Sequence, residues 1–231
     1  MSSLRTALYE PDLRGTLDAL MARVWGRAMP AAEFDWWFER NPRGRSRIVL
    51  ALEEGRAVAV AAATPIRIRV DGEERDSRLA VNLATDPDHR GRSLFTTLMG
   101  ELDLETALTF PTEAAARVLV GRLGWRPLPG PRVWAGLAPT RPVGAFERAR
   151  ELPGNQIVRE PADLAWRYAE SPRRYRLAAG GVVGRWKGVP VLLERFGRTS
   201  AGFVPTPRRL RVLAKGLDGE WSFSPGDSDF L

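Results

Sequence analysis

The sequence predicts a mixed α/β fold in two parts, a larger one over residues 1–138 and a smaller one over residues 139–231. Three observations predict it. Blocks with apolar residues at helical spacing alternate with strand-like runs. Turn signals join several of those runs into hairpins. A stretch at 138–144 holding Pro139 and Pro142 interrupts the pattern, which is weaker beyond it.

The elements follow in order. Leu13, Leu17, Leu20, Met21, Val24 and Trp25 share a helical face, giving a helix over 12–27. Pro30 starts a second helix with Phe34, Trp37 and Phe38 on one side, ending near Asn41-Pro42. Trp36 and Trp37 are adjacent and cannot both face one core of a regular helix, so one of them is expected to line a cleft. Residues 47–53 and 57–70 read as strands joined at Glu54-Gly55, and Asp71-Gly72 turns the chain into a third strand over 77–85. A polar loop, 86–92, leads to a helix marked by Leu94, Phe95, Leu98, Met99 and Leu102, with Ser93 placed to cap it. A short strand at 105–110, a helix carrying Ala115, Val118, Leu119 and Leu123, and a strand at 131–138 complete the first part. The second part suggests a helix at 161–170 and strands at 175–184, 189–196, 209–214 and 220–223. Each part has an aromatic-rich helix before a hairpin, which suggests shared ancestry of the two.

Composition narrows the chemistry. There is no cysteine, which removes disulfides, cysteine nucleophiles and thiolate metal sites, and His89 is the only histidine, so no metal site is expected. No apolar run is long enough to cross a bilayer, and the first twelve residues lack a signal-peptide pattern, so a cytoplasmic protein without membrane partners is the expectation. Net charge is +7. Residues 141–215 hold sixteen Arg and Lys against six Asp and Glu, a segment that suits a polyanion or a solvated surface. Only Lys187 and Lys215 are lysines among the 35 basic residues, a bias that fits coding-sequence composition as well as selection.

The informative unit runs over 80–125. A strand feeds Asp86-Pro87-Asp88-His89-Arg90-Gly91-Arg92-Ser93 into a helix start. Free backbone N–H groups and the positive end of the helix dipole converge there, and Arg90 and Arg92 add charge-assisted donors, so the loop reads as an anion site, with a tight turn bearing solvated arginines as the alternative. Glu113 and Asp86 are the acid–base candidates; helix-end charge matching and a turn cap are their structural alternatives. Asn82 is a candidate to bond substrate or to satisfy a neighbouring backbone group, and His89 reads as a surface loop residue.

Arg90-Gly91-Arg92-Ser93-Leu94-Phe95, the preceding Pro87-Asp88-His89 and the later Leu123-Gly124-Trp125 resemble the coenzyme A loop and following motif of the GCN5-related N-acetyltransferase superfamily. Phe110-Pro111-Thr112-Glu113, Phe34-Asp35-Trp36-Trp37-Phe38 with Asn41-Pro42-Arg43-Gly44, and Gly226-Asp227-Ser228-Asp229-Phe230 resemble a subgroup with a second acyltransferase-like half. The resemblance implies a mostly antiparallel central sheet flanked by helices, followed by a reduced second half of the same kind. It implies acetyl-CoA or another acyl-CoA as co-substrate, bound along Leu83, Ala84, Thr85, Arg90, Gly91, Arg92, Ser93, Leu94, Phe95 and Thr96. It implies acyl transfer to the amine of a small molecule, with Glu113, Asp86 and Asn82 as catalytic candidates.

The chain departs from the family's pattern at three places. Ser93 replaces a loop glycine, Val120 stands where many relatives have a proton-donating tyrosine, and Val81, Asn82 and Leu83 supply no strand glutamate. Two other readings follow: an aminoacyl-tRNA-dependent enzyme using the basic 141–215 segment, and a non-catalytic binding module of the same fold.

Overall fold

The computed structural model describes residues 4–196 and 202–228. β1 (Leu4–Leu8) is followed by a 3₁₀ turn and α1 (Arg14–Trp25), which buries Leu17, Leu20 and Met21 and stops at Gly26 in the left-handed region. α2 (Ala31–Phe34) passes directly into a π turn, Asp35–Glu39, closed by the Arg40 N–H on the Asp35 carbonyl at 2.9 Å. The wider turn advances less per residue, so Trp36, Trp37 and Phe38 all point inward and all are buried. The expectation that one of the two tryptophans lines a cleft therefore fails, because the helix is not regular there.

β2 (Arg47–Glu53), β3 (Arg56–Val70) and β4 (Glu73–Thr85) form an antiparallel meander. β4 is followed by α3 (Leu94–Glu101), β5 (Ala107–Thr109), α4 (Glu113–Leu123) and β6 (Arg126–Leu128). β5 pairs parallel to β4. α1 and α2 cover one face of the sheet, where Leu17, Leu20, Phe34 and Trp36 meet Leu50, Val60 and Leu79. α3 and α4 cover the other, where Leu98, Met99 and Leu119 meet Val49, Ala59 and Ala61. Burial on both faces explains why residues 57–63 are uninterruptedly apolar, without alternation.

β7 (Arg132–Gly136), β8 (Thr140–Pro142), β10 (Arg176–Ala178), β11 (Gly181–Trp186), β12 (Val189–Arg195) and β13 (Phe203–Arg209) build a second sheet in the order β13-β7-β12-β11-β10-β8. Its core contains Leu164 and Tyr168, contributed by α5 (Pro161–Leu164) and the π turn after it, Ala165–Ala169. β14 (Val212–Lys215) returns to the first sheet between β5 and β6, and β9 (Gln156–Ile157) pairs with β3.

A division at residue 138 therefore does not follow the sheets. The strand expected at 131–138 as the last of the first part is β7 of the second sheet, and β14 completes the first sheet from the C-terminal part. The 138–144 connector contains β8. The strand expected at 209–214 is split between β13 and β14, and at 220–223 only Trp221 makes a bridge, to Asn155. β1, β6 and β9 were not foreseen; β6 and β9 are too short to show a period.

The suspected kinship of the two aromatic helices has a geometric counterpart. Trp36 and Trp166, 130 residues apart, exchange bonds: the Trp36 indole N–H donates to the Trp166 carbonyl at 2.7 Å, and the Trp166 indole N–H donates to the Trp36 carbonyl at 2.9 Å. At one side of this pair Arg43 donates to Asp163 at 2.7 and 3.0 Å; at the other, Arg173 donates to Glu33 at 2.9 Å. The same offset that relates Trp36 to Trp166 relates Arg43 to Arg173 and Glu33 to Asp163. Both helices are an α turn followed by a π turn.

Several arginines of the basic 141–215 segment lie inside. Arg150, Arg159 and Arg167 are buried. Arg150 meets Asp227 at 2.9 Å and Glu194 at 3.2 Å, Arg159 meets Asp227 at 3.3 Å, and the Tyr168 hydroxyl donates to Glu194 at 2.7 Å. Gly226 packs against the Tyr168 hydroxyl so closely that a Cβ would collide with it. Asp229 and Phe230 of the tail motif lie outside the described residues.

Candidate active site

The first sheet forks at its centre. β4 and β5 run in register from Arg78 opposite Ala107 to Ala80 opposite Thr109, and the pairing ends there. The buried Thr109 hydroxyl donates to the Ala80 carbonyl at 2.9 Å, which fastens the strands at the fork. Beyond it β4 bulges: Val60 pairs with Ala84 and Ala62 with Val81, so Asn82 and Leu83 oppose the single residue Ala61. Asn82 takes a positive φ of 51°, a conformation that asparagine tolerates better than most residues. The bulge turns the backbone of β4 away from β5 and leaves peptide groups at Val81–Leu83 facing a gap.

That gap opens into a cavity of about 710 Å³. Val81, Asn82 and Leu83 form one wall, Thr109 to Thr112 a second, and Trp25, Arg27, Ala28 and Met29, at and just after the end of α1, a third. The fourth wall comes from the C-terminal part: Arg173, Arg174, Tyr175 and Arg185. Glu33 is the single carboxylate among the lining residues.

At the far end of β4, residues 90–93 are exposed and lead into α3. The first-turn N–H groups of α3 have no helical carbonyl one turn earlier, so they are open to an anion. Arg92 leans on Glu53 at 2.9 Å; Arg90 is exposed. Ser93 does not cap α3 with its side chain. It sits at φ 59°, in the left-handed region where a glycine would be unstrained. Its carbonyl accepts from the Thr96 hydroxyl at 2.7 Å and from the Thr97 N–H at 3.0 Å. Leu94 is buried under the sheet and Phe95 is half-buried, so these two anchor the helix rather than face solvent.

The three catalytic candidates are not brought together. Asn82 lines the cavity. Asp86 turns away from it, toward Arg23 at 2.8 Å, and caps the following turn through the Asp88 N–H at 3.2 Å. Burial pushes its carboxyl upward, but the Arg23 hydrogen bond, the Asp88 N–H and the Arg23 and His89 charges outweigh that and hold it below the usual range. Glu113 is exposed at the start of α4 and pairs with Arg117, one turn on, which lowers its pKa; it lies outside the cavity lining although Thr112 and Ala115 are within it. Both carboxylates thus have the structural role that helix and turn chemistry gives them. Ala84 and Thr85 are held in the β3 ladder opposite Val60 and Ala59, and of the strand's expected cofactor residues only Leu83 reaches the cavity. His89 is half-buried, with Nε2 2.7 Å from Glu53. Val120 is exposed on α4.

Sequence reasoning missed Trp25, Arg27, Glu33 and the Arg173–Tyr175 side of the cavity, because long-range folding alone brings them to the fork. The doubled arginine after Pro172 was the available signal. Among the described residues no helix is long and apolar enough to cross a membrane, and no cluster of metal-ligating side chains is present.

The model of the acetyltransferase (GNAT) domain family matches residues 10–108, which hold the meander, the bulge and the 86–93 loop. No curated protein matches the chain. The fold is similar to that of a GCN5-related N-acetyltransferase from Kribbella flavida, with 13% identity and a TM-score of 0.62 over 92% of this chain and 71% of that one. It is also similar to a conserved protein from Enterococcus faecalis whose description reads "Probable N-Acyltransferase", with 10% identity and a TM-score of 0.55 over 78% of this chain; the match spans 54% of that longer protein. Residues 10–108 thus match the acetyltransferase (GNAT) domain model, and the chain shares the fold of a GCN5-related N-acetyltransferase.

Proposed function

We propose that the protein is an N-acyltransferase that takes an acyl group from a CoA thioester and passes it to the amine of a small molecule. The observation that carries this reading is the fork between β4 and β5 at Asn82, joined to a cavity on one side and to the 90–93 loop on the other. Acyl-CoA fits these residues. The open N–H groups at the start of α3 and the Arg90 guanidinium suit a diphosphate, and the unpaired peptide edge at Val81–Leu83 suits an amide-bearing arm.

When bound, the thioester supplies an activated acyl carbon, and in the overall exchange an N–C bond forms while the C–S bond breaks. The chain's own contribution is positional. The β4 edge donates to and orients the acyl carbonyl, and the Asn82 side chain adds a polar contact at the mouth of the fork. Glu33, the cavity's carboxylate, is engaged by the Arg173 guanidinium at 2.9 Å and serves to hold that arginine in the wall. Val120 donates no proton. The amine is therefore expected to enter as the free base and its proton to leave through water. The predicted consequence is a kcat/KM that rises with pH up to the acceptor amine's own pKa, with no earlier plateau from an enzyme carboxylate.

Thiol release from acetyl-CoA, followed with a panel of amines, tests the reading. Amine-dependent release supports it. Tight CoA binding without release under any amine would leave a binding module, and absence of both would remove the acyltransferase assignment.

A further inference from the structure

The two ends of the helix pair joined by Trp36 and Trp166 are built alike but charged differently. At one end Arg43 is held by two carboxylates, Asp163 at 2.7 Å and Glu160 at 2.6 Å. At the equivalent end, 130 residues displaced, Glu33 is a single carboxylate held by Arg173 at 2.9 Å, with Arg27 at 3.9 Å. The residue equivalent to Glu160 is Pro30, and the residue equivalent to Gly44 is Arg174. One end carries a surplus of negative charge and takes no part in lining the cavity at the fork. The other carries a surplus of positive charge and forms a wall of the cavity at the fork.

Within that cavity Arg27, Arg173, Arg174 and Arg185 face one carboxylate, Glu33. Arg173 is fixed by Glu33, and its guanidinium lies 5.7 Å above the Trp36 ring, which makes it a rigid part of the wall. Arg174 is exposed and has no ion-pair or hydrogen-bond partner among the described residues. Arg185 donates only to the Gly188 carbonyl at 2.9 Å, which leaves its charge uncompensated. The donor's diphosphate has its own site at residues 90–93, none of which lines the cavity. The arginine wall is therefore left for the acceptor.

We infer that the acceptor is an amine that also carries an anionic group, a carboxylate or a phosphate, which Arg174 and Arg185 bind while the amine points to the fork at Asn82. The inference rests on the acyltransferase reading for the role of the amine. It does not rest on that reading for the anion site. Guanidinium groups pair with carboxylate and phosphate through paired N–H donors, and a partly enclosed cavity strengthens such pairs over those in open solvent.

The test uses matched amines at fixed ionic strength: an α-amino acid against its amide, and phosphoethanolamine against ethanolamine. Binding is read from tryptophan fluorescence, since Trp25 lies at the cavity rim, and turnover from thiol release. The expected result is at least tenfold tighter binding and higher kcat/KM for an anionic amine than for its neutral partner. Arg174→Gln and Arg185→Gln should each weaken the anionic amine at least tenfold, mainly in KM, while CoA affinity stays within twofold. The carboxylate and phosphate pairs show which anion the wall prefers. Equal behaviour of anionic and neutral amines overturns the inference, as does a loss of CoA affinity in the arginine variants as large as the loss for the amine. If wild-type protein fails to bind CoA, the acyltransferase reading falls, and the amine-binding arm still decides on the anion site by itself.

Discussion

Ser93 shows how a single residue departs from what its type suggests. A serine before a helix reads as a cap, yet at φ 59° its hydroxyl makes no cap and its backbone stands where an L-residue is strained by about 1–2 kcal/mol. Ser93→Gly is expected to raise stability by about 1 kcal/mol, read from the denaturant midpoint, and to leave CoA affinity equal or tighter because no Cβ remains beside the phosphates. Arg90 is exposed and outside the core, so Arg90→Ala should weaken CoA binding by about 1.5–3 kcal/mol in calorimetry while the melting temperature barely moves. The loop was legible because Arg90, Gly91 and the helix start are contiguous. For Asp86 and Glu113 the sequence left a catalytic and a structural role open, because a carboxylate's function depends on which way it turns. Arg23, 63 residues away, claims Asp86, and Arg117 claims Glu113.

The long helices and strands could be read from periodicity, since α1, α3, α4 and β2 to β4 each present a clear apolar face or run. Two features could not. The bulge at Asn82 leaves no mark in an apolar run, although it makes the fork. The π turns hide because they alter the period that a helical reading assumes, and so Trp36 and Trp37 looked incompatible. The tryptophan exchange also crosses between distant parts of the sequence. Trp166→Ala should cost about 3–5 kcal/mol in chemical denaturation, since it removes a buried ring packed on Trp36 and Trp37 and leaves the Trp36 carbonyl without its donor. A cost below 1 kcal/mol would mean that the paired helices are not held through this contact.

At the scale of the whole molecule, the C-terminal part both completes the first sheet through β14 and walls the cavity, so it is not an appendage to the first. The network of Arg150, Arg159, Glu194 and Asp227 holds the residues before the C-terminus inside it. Burial pushes the Asp227 carboxyl upward, but Arg150 and Arg159 outweigh it and leave the folded-state pKa below the unfolded value near 3.9. Its contribution is therefore complete above the unfolded pKa and is lost as pH falls toward the folded one. Asp227→Asn should cost about 3–5 kcal/mol at pH 7, and the variant should lose less further stability than wild type between pH 5 and pH 2 in urea titrations. The central proposal is that the fork at Asn82 and the loop at 90–93 hold an acyl-CoA. Unfolding of the protein with and without CoA tests it most directly. At a hundredfold excess over the dissociation constant, CoA should add about 2.7 kcal/mol of stability and raise the melting temperature by several degrees; no shift at millimolar CoA would contradict the account.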